Sequence, residues 1–216
     1  MPLPQIENDA ALNLKSLARL RGLTLGSKSP RRRELLERAG ISFELFSPQT
    51  DESPIPGESP EDFCQRVALA KARETLESST SKTRIHLGGD TVVVLEGEIL
   101  GKPIDSSDAH AILTRLSGAT HTVLTAIALA TIDSSGEELV EVGLERTQVT
   151  FHDVTSPQID EYIATGDPLD KAGAYGAQEL GAFLVDCIAG RLDNVIGLPL
   201  KLTDQLASKL LKRLLH

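Results

Sequence analysis

Apolar positions along the chain change their period several times, and each change marks a different element. The run "LTLGS" from Leu23 to Ser27 is short and apolar, so it predicts a strand that stops where polar residues begin. Ser29-Pro30 then has the form of a helix start, with serine as cap, proline in the first turn and Gly40 as the stop. "SFELFSP" predicts a second strand, and the Pro-, Ser- and acid-rich "QTDESPIPGESPED" a surface loop. A helix is expected from about Pro60 to Glu77, in "PEDFCQRVALAKARETLES". Val92 to Val94, between Gly-Gly and a turn at Gly97, predict a buried strand and hairpin. "SSDAHAILTRLSG" reads as a capped helix ending at Gly118. Two long strands, "HTVLTAIALATI" and "ELVEVGLERTQVTF", flank the turn "DSSGEE". Another helix starts at Ser156-Pro157 and stops at Gly166, the tail from Leu198 has leucines at helical spacing, and "LNLKSLARLRG" predicts a short amphipathic helix near the N-terminus. Crossovers mixed with hairpins imply an α/β fold with a mixed β-sheet and flanking helices.

Composition narrows this picture. The 216 residues are 40% hydrophobic but only 3% aromatic, so the core must be built from Leu, Ile, Val and Ala, as one domain with a cleft or as two lobes. A formal net charge of -9 argues against a general nucleic-acid coat, which needs many cationic phosphate contacts. No apolar run approaches a membrane span and no secretory core is visible, which predicts a cytoplasmic protein; Glu7 and Asp9 weigh against an organelle-targeting peptide. Cys64 and Cys187 lack metal-ligand spacing and are expected to be two buried thiols. The five histidines form no ligand pattern.

Against the acidic background, "SKSPRRRELL" gathers Lys28 and Arg31 to Arg33 at the predicted junction of a strand and a helix. Unpaired backbone N–H groups and the positive helix end converge there, so the turn suits an anion such as phosphate, with hydroxyls from Ser27 and Ser29. Successive helical residues fan out by about 100° each, so the arginines cannot all point inward. Arg31, on the first turn, is the expected ligand; a solvated basic face is the alternative. Asp90 in "GGDTVV" enters the predicted buried strand behind two glycines, where backbone can approach a ligand. Glu52 lies in the acidic loop, Lys71 beside the Phe63 and Val67 stripe, and Lys102 between a glycine and a proline. "TGDPLDKAGAYGAQELG", Thr165 to Gly181, has too little bulk for a core, and ordering such a loop costs entropy that ligand contacts explain better than packing.

Together with "ALAKA", "LSGATHTVLTAIAL" and "NVIGLPL", these stretches resemble the Maf family of nucleoside triphosphate pyrophosphatases from about Leu23 to Leu206. The resemblance divides the chain into an N-terminal extension, residues 1–22, and a Maf-like pyrophosphatase domain, residues 23–216. It implies two lobes around a deep nucleotide-binding cleft, of the inosine triphosphate pyrophosphatase-like kind, and usually a homodimer. It also implies hydrolysis of a nucleoside triphosphate to monophosphate and pyrophosphate with a divalent cation, Mg²⁺ or Mn²⁺, and the "DKAGAYG.Q" pattern is similar to the subgroup acting on dTTP and UTP. In that pattern Asp90 is the catalytic proton acceptor and Glu52 a polar position of the site; because Mg²⁺ prefers carboxylate oxygen and water, Glu52 and Asp90 are the expected metal ligands. Arg31, Thr91 and Gln178 fall on positions linked to substrate choice, and Ser27, Lys71 and Lys102 on polar positions of the site. A glutamine amide offers uracil or thymine a complementary donor and acceptor. Two departures stand out: Glu179 where the family usually has glycine, and Gly89 where alanine is common. A regulator of cell division that binds nucleotides without turnover is the alternative reading, separated from the enzyme by a metal-dependent turnover assay.

Overall fold

The structure, a computed structural model, describes residues 11–215. Its helices are α1 Leu12–Arg21, α2 Pro30–Arg38, α3 Pro60–Ser78, α4 Ser106–Leu116, α5 Ser156–Ala164, α6 Leu192–Ile196 and α7 Leu200–Leu214. Its strands are β1 Leu23–Gly26, β2 Glu44–Phe46, β3 Ile85–Leu95, β4 Glu98–Leu100, β5 Thr120–Ile132, β6 Glu138–Phe151 and β7 Val185–Ala189. The seven-stranded sheet runs β2-β1-β3-β5-β6-β7, with β4 paired to β3. β2 and β3 lie parallel to β1, whereas β4 on β3 and β7 on β6 are antiparallel. This is the mixed α/β sheet that crossovers and hairpins predict. No helix among the described residues is long and apolar enough to cross a membrane.

The chain forms two compact units. The first holds residues 11–90, Thr125–Glu145 and residues 197–215. Gly26 and Gly88 are register partners on β1 and β3, and both lie under α3. A Cβ on Gly26 would collide with Thr75 Oγ1, and one on Gly88 with Ala68 O and Ala72 N, so α3 approaches the sheet only because both positions lack a side chain. Ser59 caps α3, its hydroxyl accepting from Asp62 N at 3.1 Å, and Pro60 occupies the first turn. Helix α1 packs along α7 and has no side-chain cap of its own. Asp204 on α7 supplies one, accepting from Leu14 N at 3.0 Å and Asn13 Nδ2 at 2.7 Å.

The second unit holds Thr91–Leu124 and Arg146–Ile196. Leu113 and Leu116 from α4 and Ile159 and Tyr162 from α5 close one core with Val123, Phe151 and Tyr175. Phe151, Tyr175 and His121 stack edge to face, with ring centroids 4.7 to 5.4 Å apart. The hairpin between β3 and β4 turns at Glu96 and Gly97, both with positive φ, as the glycine predicts.

Three expectations from sequence need correction. Cys64 is buried as expected, but Cys187 is exposed on β7, because its strand is short and faces solvent on both sides at that point. The late loop is not too slight for a core: Ala174 and Tyr175 are buried in it, since one aromatic ring supplies the bulk its small neighbours lack. Its backbone is also more regular than a bare loop, forming 3₁₀ turns at Asp167–Asp170, Ala172–Ala174 and Glu179–Leu184.

Candidate functional site

The turn after β1 is built by short hydroxyl contacts. Ser27 N–H donates to Phe46 O at 3.0 Å, which fixes the strand exit. Ser27 Oγ then accepts from Ser29 N at 3.1 Å, and Ser29 Oγ caps α2 by accepting from Arg32 N at 3.4 Å. Of the three arginines, Arg32 is the one taken inside, at 7% exposure. Its Nε donates to Gly197 O at 2.8 Å and its Nη1 to Ser27 Oγ at 3.1 Å. Arg31 is half-buried, and Arg33 is exposed. The helical period carried this signal: Arg32 precedes the buried Leu35 and Leu36 by three and four residues, which places it on their face. Gly89 leaves room for it, since a Cβ there would lie 3.1 Å from Arg32 Nε and 3.1 Å from Ile127 Cδ1. Burial lowers the Arg32 pKa from its ordinary value, and the negative charge of Asp90 opposes that shift.

Asp90 lies in β3 at 6% exposure. The close seat of α3 brings Lys71 to it: Lys71 Nζ is 2.9 Å from Asp90 Oδ1 and 2.8 Å from Glu52 Oε1. Lys71 is itself buried, whereas Glu52 reaches in from the exposed acidic loop. Cys64 Sγ–H donates to the Asp90 carbonyl at 3.4 Å. Burial pushes that thiol up to about 12, so it stays protonated and is no nucleophile at neutral pH. Burial also raises the Asp90 pKa above the ordinary carboxylate range, with the Lys71 ammonium pulling the other way. A carboxylate made more basic while still ion-paired is suited to accept a proton.

The same pair of carboxylates bears on a metal. Asp90 and Glu52 converge on one cationic point, now held by the Lys71 ammonium. No group of three or more His, Cys, Asp or Glu side chains gathers among the described residues. A divalent cation would therefore take these two carboxylates and complete its shell with water and ligand oxygens, a donor set that Mg²⁺ accepts. The residues present fit the ion.

Thr91, Lys102 and Gln178 belong to the second unit. Thr91 is half-buried in β3 and Lys102 exposed after β4. Gln178 is half-buried at the entry to the last 3₁₀ turn. The segment bearing Lys102 and the late loop are joined, because Gly173 N–H donates to Gly101 O at 3.0 Å. Gly173 also packs on Val93, where a Cβ would sit 2.8 Å from Cγ2, and Ala174 follows with φ 57°, a strained value for a residue with a side chain. The Glu179 side chain lies outside the described residues. Thus the structure brings Ser27, Glu52, Lys71 and Asp90 together with Arg32 in the first unit, and ties the loop of Gln178 to the Lys102 segment in the second.

Comparison with known proteins matches residues 22–210 to the family described as Maf-like protein. The chain is 46% identical over 194 residues to the dTTP/UTP pyrophosphatase of Shewanella oneidensis, covering 87% of this chain and 97% of that protein. It is likewise 46% identical over 187 residues to the dTTP/UTP pyrophosphatase of Symbiobacterium thermophilum, covering 87% and 93%. Among solved structures it is similar to a nucleoside-triphosphatase / dITP/XTP pyrophosphatase from Mycobacterium abscessus at 18% identity, covering 88% and 95% of the two chains, but the TM-score of 0.38 is too low to add to the fold.

Proposed function

The chain belongs to the Maf-like protein family, and from that premise we propose that it is a nucleoside triphosphate pyrophosphatase, hydrolysing dTTP and UTP to the monophosphate and pyrophosphate. The observation that carries this reading is the buried Asp90–Lys71–Glu52 charge cluster in the unit that also holds the Arg32–Ser27 turn.

Water attacks the α-phosphorus, the bond from that phosphorus to the bridging oxygen breaks, and pyrophosphate leaves. Asp90 accepts the proton of the water, a task for which its raised pKa prepares it. Ser27 and Arg31 bind phosphate oxygens at the start of α2, where hydroxyl, N–H groups and guanidinium suit an anion. Arg32 braces Ser27 from within. Glu52 and Asp90 would hold Mg²⁺ or Mn²⁺, which supplies charge neutralisation on the phosphate oxygens. Lys71 keeps the two carboxylates aimed at one point and adds positive charge for the triphosphate. Lys102 binds phosphate, while Thr91 and Gln178 set the choice of base. The enzyme is read as a cytoplasmic homodimer.

Pyrophosphate release from a panel of nucleoside triphosphates, with Mg²⁺, Mn²⁺ or chelator, tests the reading. Selective release from dTTP and UTP that needs the cation and is lost in Asp90→Asn is expected. Nucleotide binding without turnover by the wild type would replace the enzyme with a sensor.

A further inference from the structure

Tyr162 is 2% exposed, and the polar end of its side chain meets the late loop twice. Its hydroxyl donates to Asp167 Oδ2 at 2.6 Å and accepts from Gly176 N at 3.1 Å. Lys171 holds the same Asp167 in place, with Nζ 2.9 Å from Oδ1 and a further bond to the Asp167 carbonyl. Gly181 passes over this point as well: a Cβ there would lie 2.7 Å from Tyr162 Oη and would collide with Gly176 O. Gly181 N–H closes the arc by donating to Gln178 O at 3.3 Å. Gln178 therefore sits on a six-residue arc, Gly176 to Gly181, whose two flanks rest on one phenol.

We propose that Tyr162 is a positioning residue for base selection, acting through the Gly176–Gly181 arc on Gln178 and not through contact with substrate. The proposal rests on the reading of Gln178 as the base-selecting residue. A phenol suits the role for a physical reason. It is rigid and buried on α5, and it can donate to a carboxylate while accepting from a backbone N–H. Within the arc Leu180 is exposed and Ala177 offers the core no more than a methyl group, so the order of the arc depends on such an external anchor. The edge-to-face contact of Tyr162 with Phe183, centroids 5.8 Å apart, extends the anchor to the far side of the arc.

Tyr162→Phe keeps the ring and removes only the hydroxyl. Expected results are faster amide exchange at Gly176 and the residues of the arc, and a fall of about tenfold in the preference for dTTP and UTP over purine nucleotides, the scale of one lost hydrogen bond. The kcat on dTTP should stay within about twofold, because a positioning residue for the base leaves the attack on phosphorus intact. Asp167→Asn weakens the same anchor from outside the core and should give the same pattern if the phenylalanine variant folds poorly. Gln178→Ala separates the two ideas. A loss of selectivity in Gln178→Ala with none in Tyr162→Phe and Asp167→Asn overturns the positioning role alone. Unchanged selectivity in all three, whatever the exchange rates, overturns the reading of Gln178 and the proposal with it.

Discussion

The charge cluster of the first unit and the late loop of the second solve the same problem, holding polar groups in fixed places, by opposite means. Asp90 and Lys71 sit on a strand and a helix brought close by Gly26 and Gly88, so backbone regularity sets their geometry. Gln178 sits at the entry to a 3₁₀ turn, in a loop tied down by the Tyr162 hydroxyl at Gly176 and by the bond from Gly173 to Gly101. Elements with complete internal hydrogen bonding tolerate little displacement, which suits groups that handle a proton. An arc pinned at a few points can be altered without disturbing a core, which suits the base selection proposed for Gln178.

The sharpest break of this comparison is Asp90→Asn. It should lower turnover by about 10²- to 10⁴-fold on every nucleotide while leaving their order unchanged, as read by pyrophosphate release. A change in base preference would show that the two regions do not divide the work. Next in size, Gly88→Ala forces α3 away from β3 and should cost about 1–3 kcal/mol in denaturant unfolding, with a loss of activity from the displaced Lys71. Gly181→Ala crowds the arc instead, and its effect should fall mainly on selectivity.

The pH dependence sharpens the contrast. The raised pKa of Asp90 means that the rate should fall as pH drops through a value above the ordinary 3.8. Lys71→Met removes the charge that opposes this shift, so the acid limb should move to higher pH in a pH–rate profile. For stability the sign is reversed from that of a paired carboxylate. Native Asp90 holds its proton more tightly than the unfolded chain does, so its contribution is present at low pH and lost as pH rises through the raised value. Histidines work the other way in both units. Burial pulls His86 in the first and His121 in the second from 6.5 to about 4, so each stays neutral in the fold. His121 pairs through Nε2 with the Tyr175 hydroxyl at 2.8 Å. The unfolded chain takes up protons first, so thermal stability should decline as pH falls from 6.5 toward 4. The smallest expected effect is that of Gln178→Ala, about tenfold in selectivity with kcat on dTTP nearly unchanged, on the scale of one hydrogen bond.

Much of the frame was legible from local pattern. Proline after a serine cap located the start of α2, the helix-forming run from Pro60 located α3, and a β-branched run marked β3. Asp90 stood out because two glycines precede it. Strand β7 and helix α6 escaped notice: β7 has no alternation of buried and exposed positions, and α6 is barely more than one turn long. Arg32 was missed in favour of Arg31 as the inward arginine, although its spacing from Leu35 and Leu36 placed it on the buried face.

By itself the order of residues determined the bounds of those elements that caps, prolines and periodicity mark, because such signals act over a few neighbouring positions. It also determined that one short turn would be cationic in an acidic chain. Only the tertiary structure decided that Asp204 caps α1, that Lys71 joins Asp90 to Glu52, and that Tyr162 carries both flanks of the Gln178 arc. Those contacts form between groups that local sequence does not bring together, and their strength comes from burial, which raises the cost of leaving any polar partner unmatched.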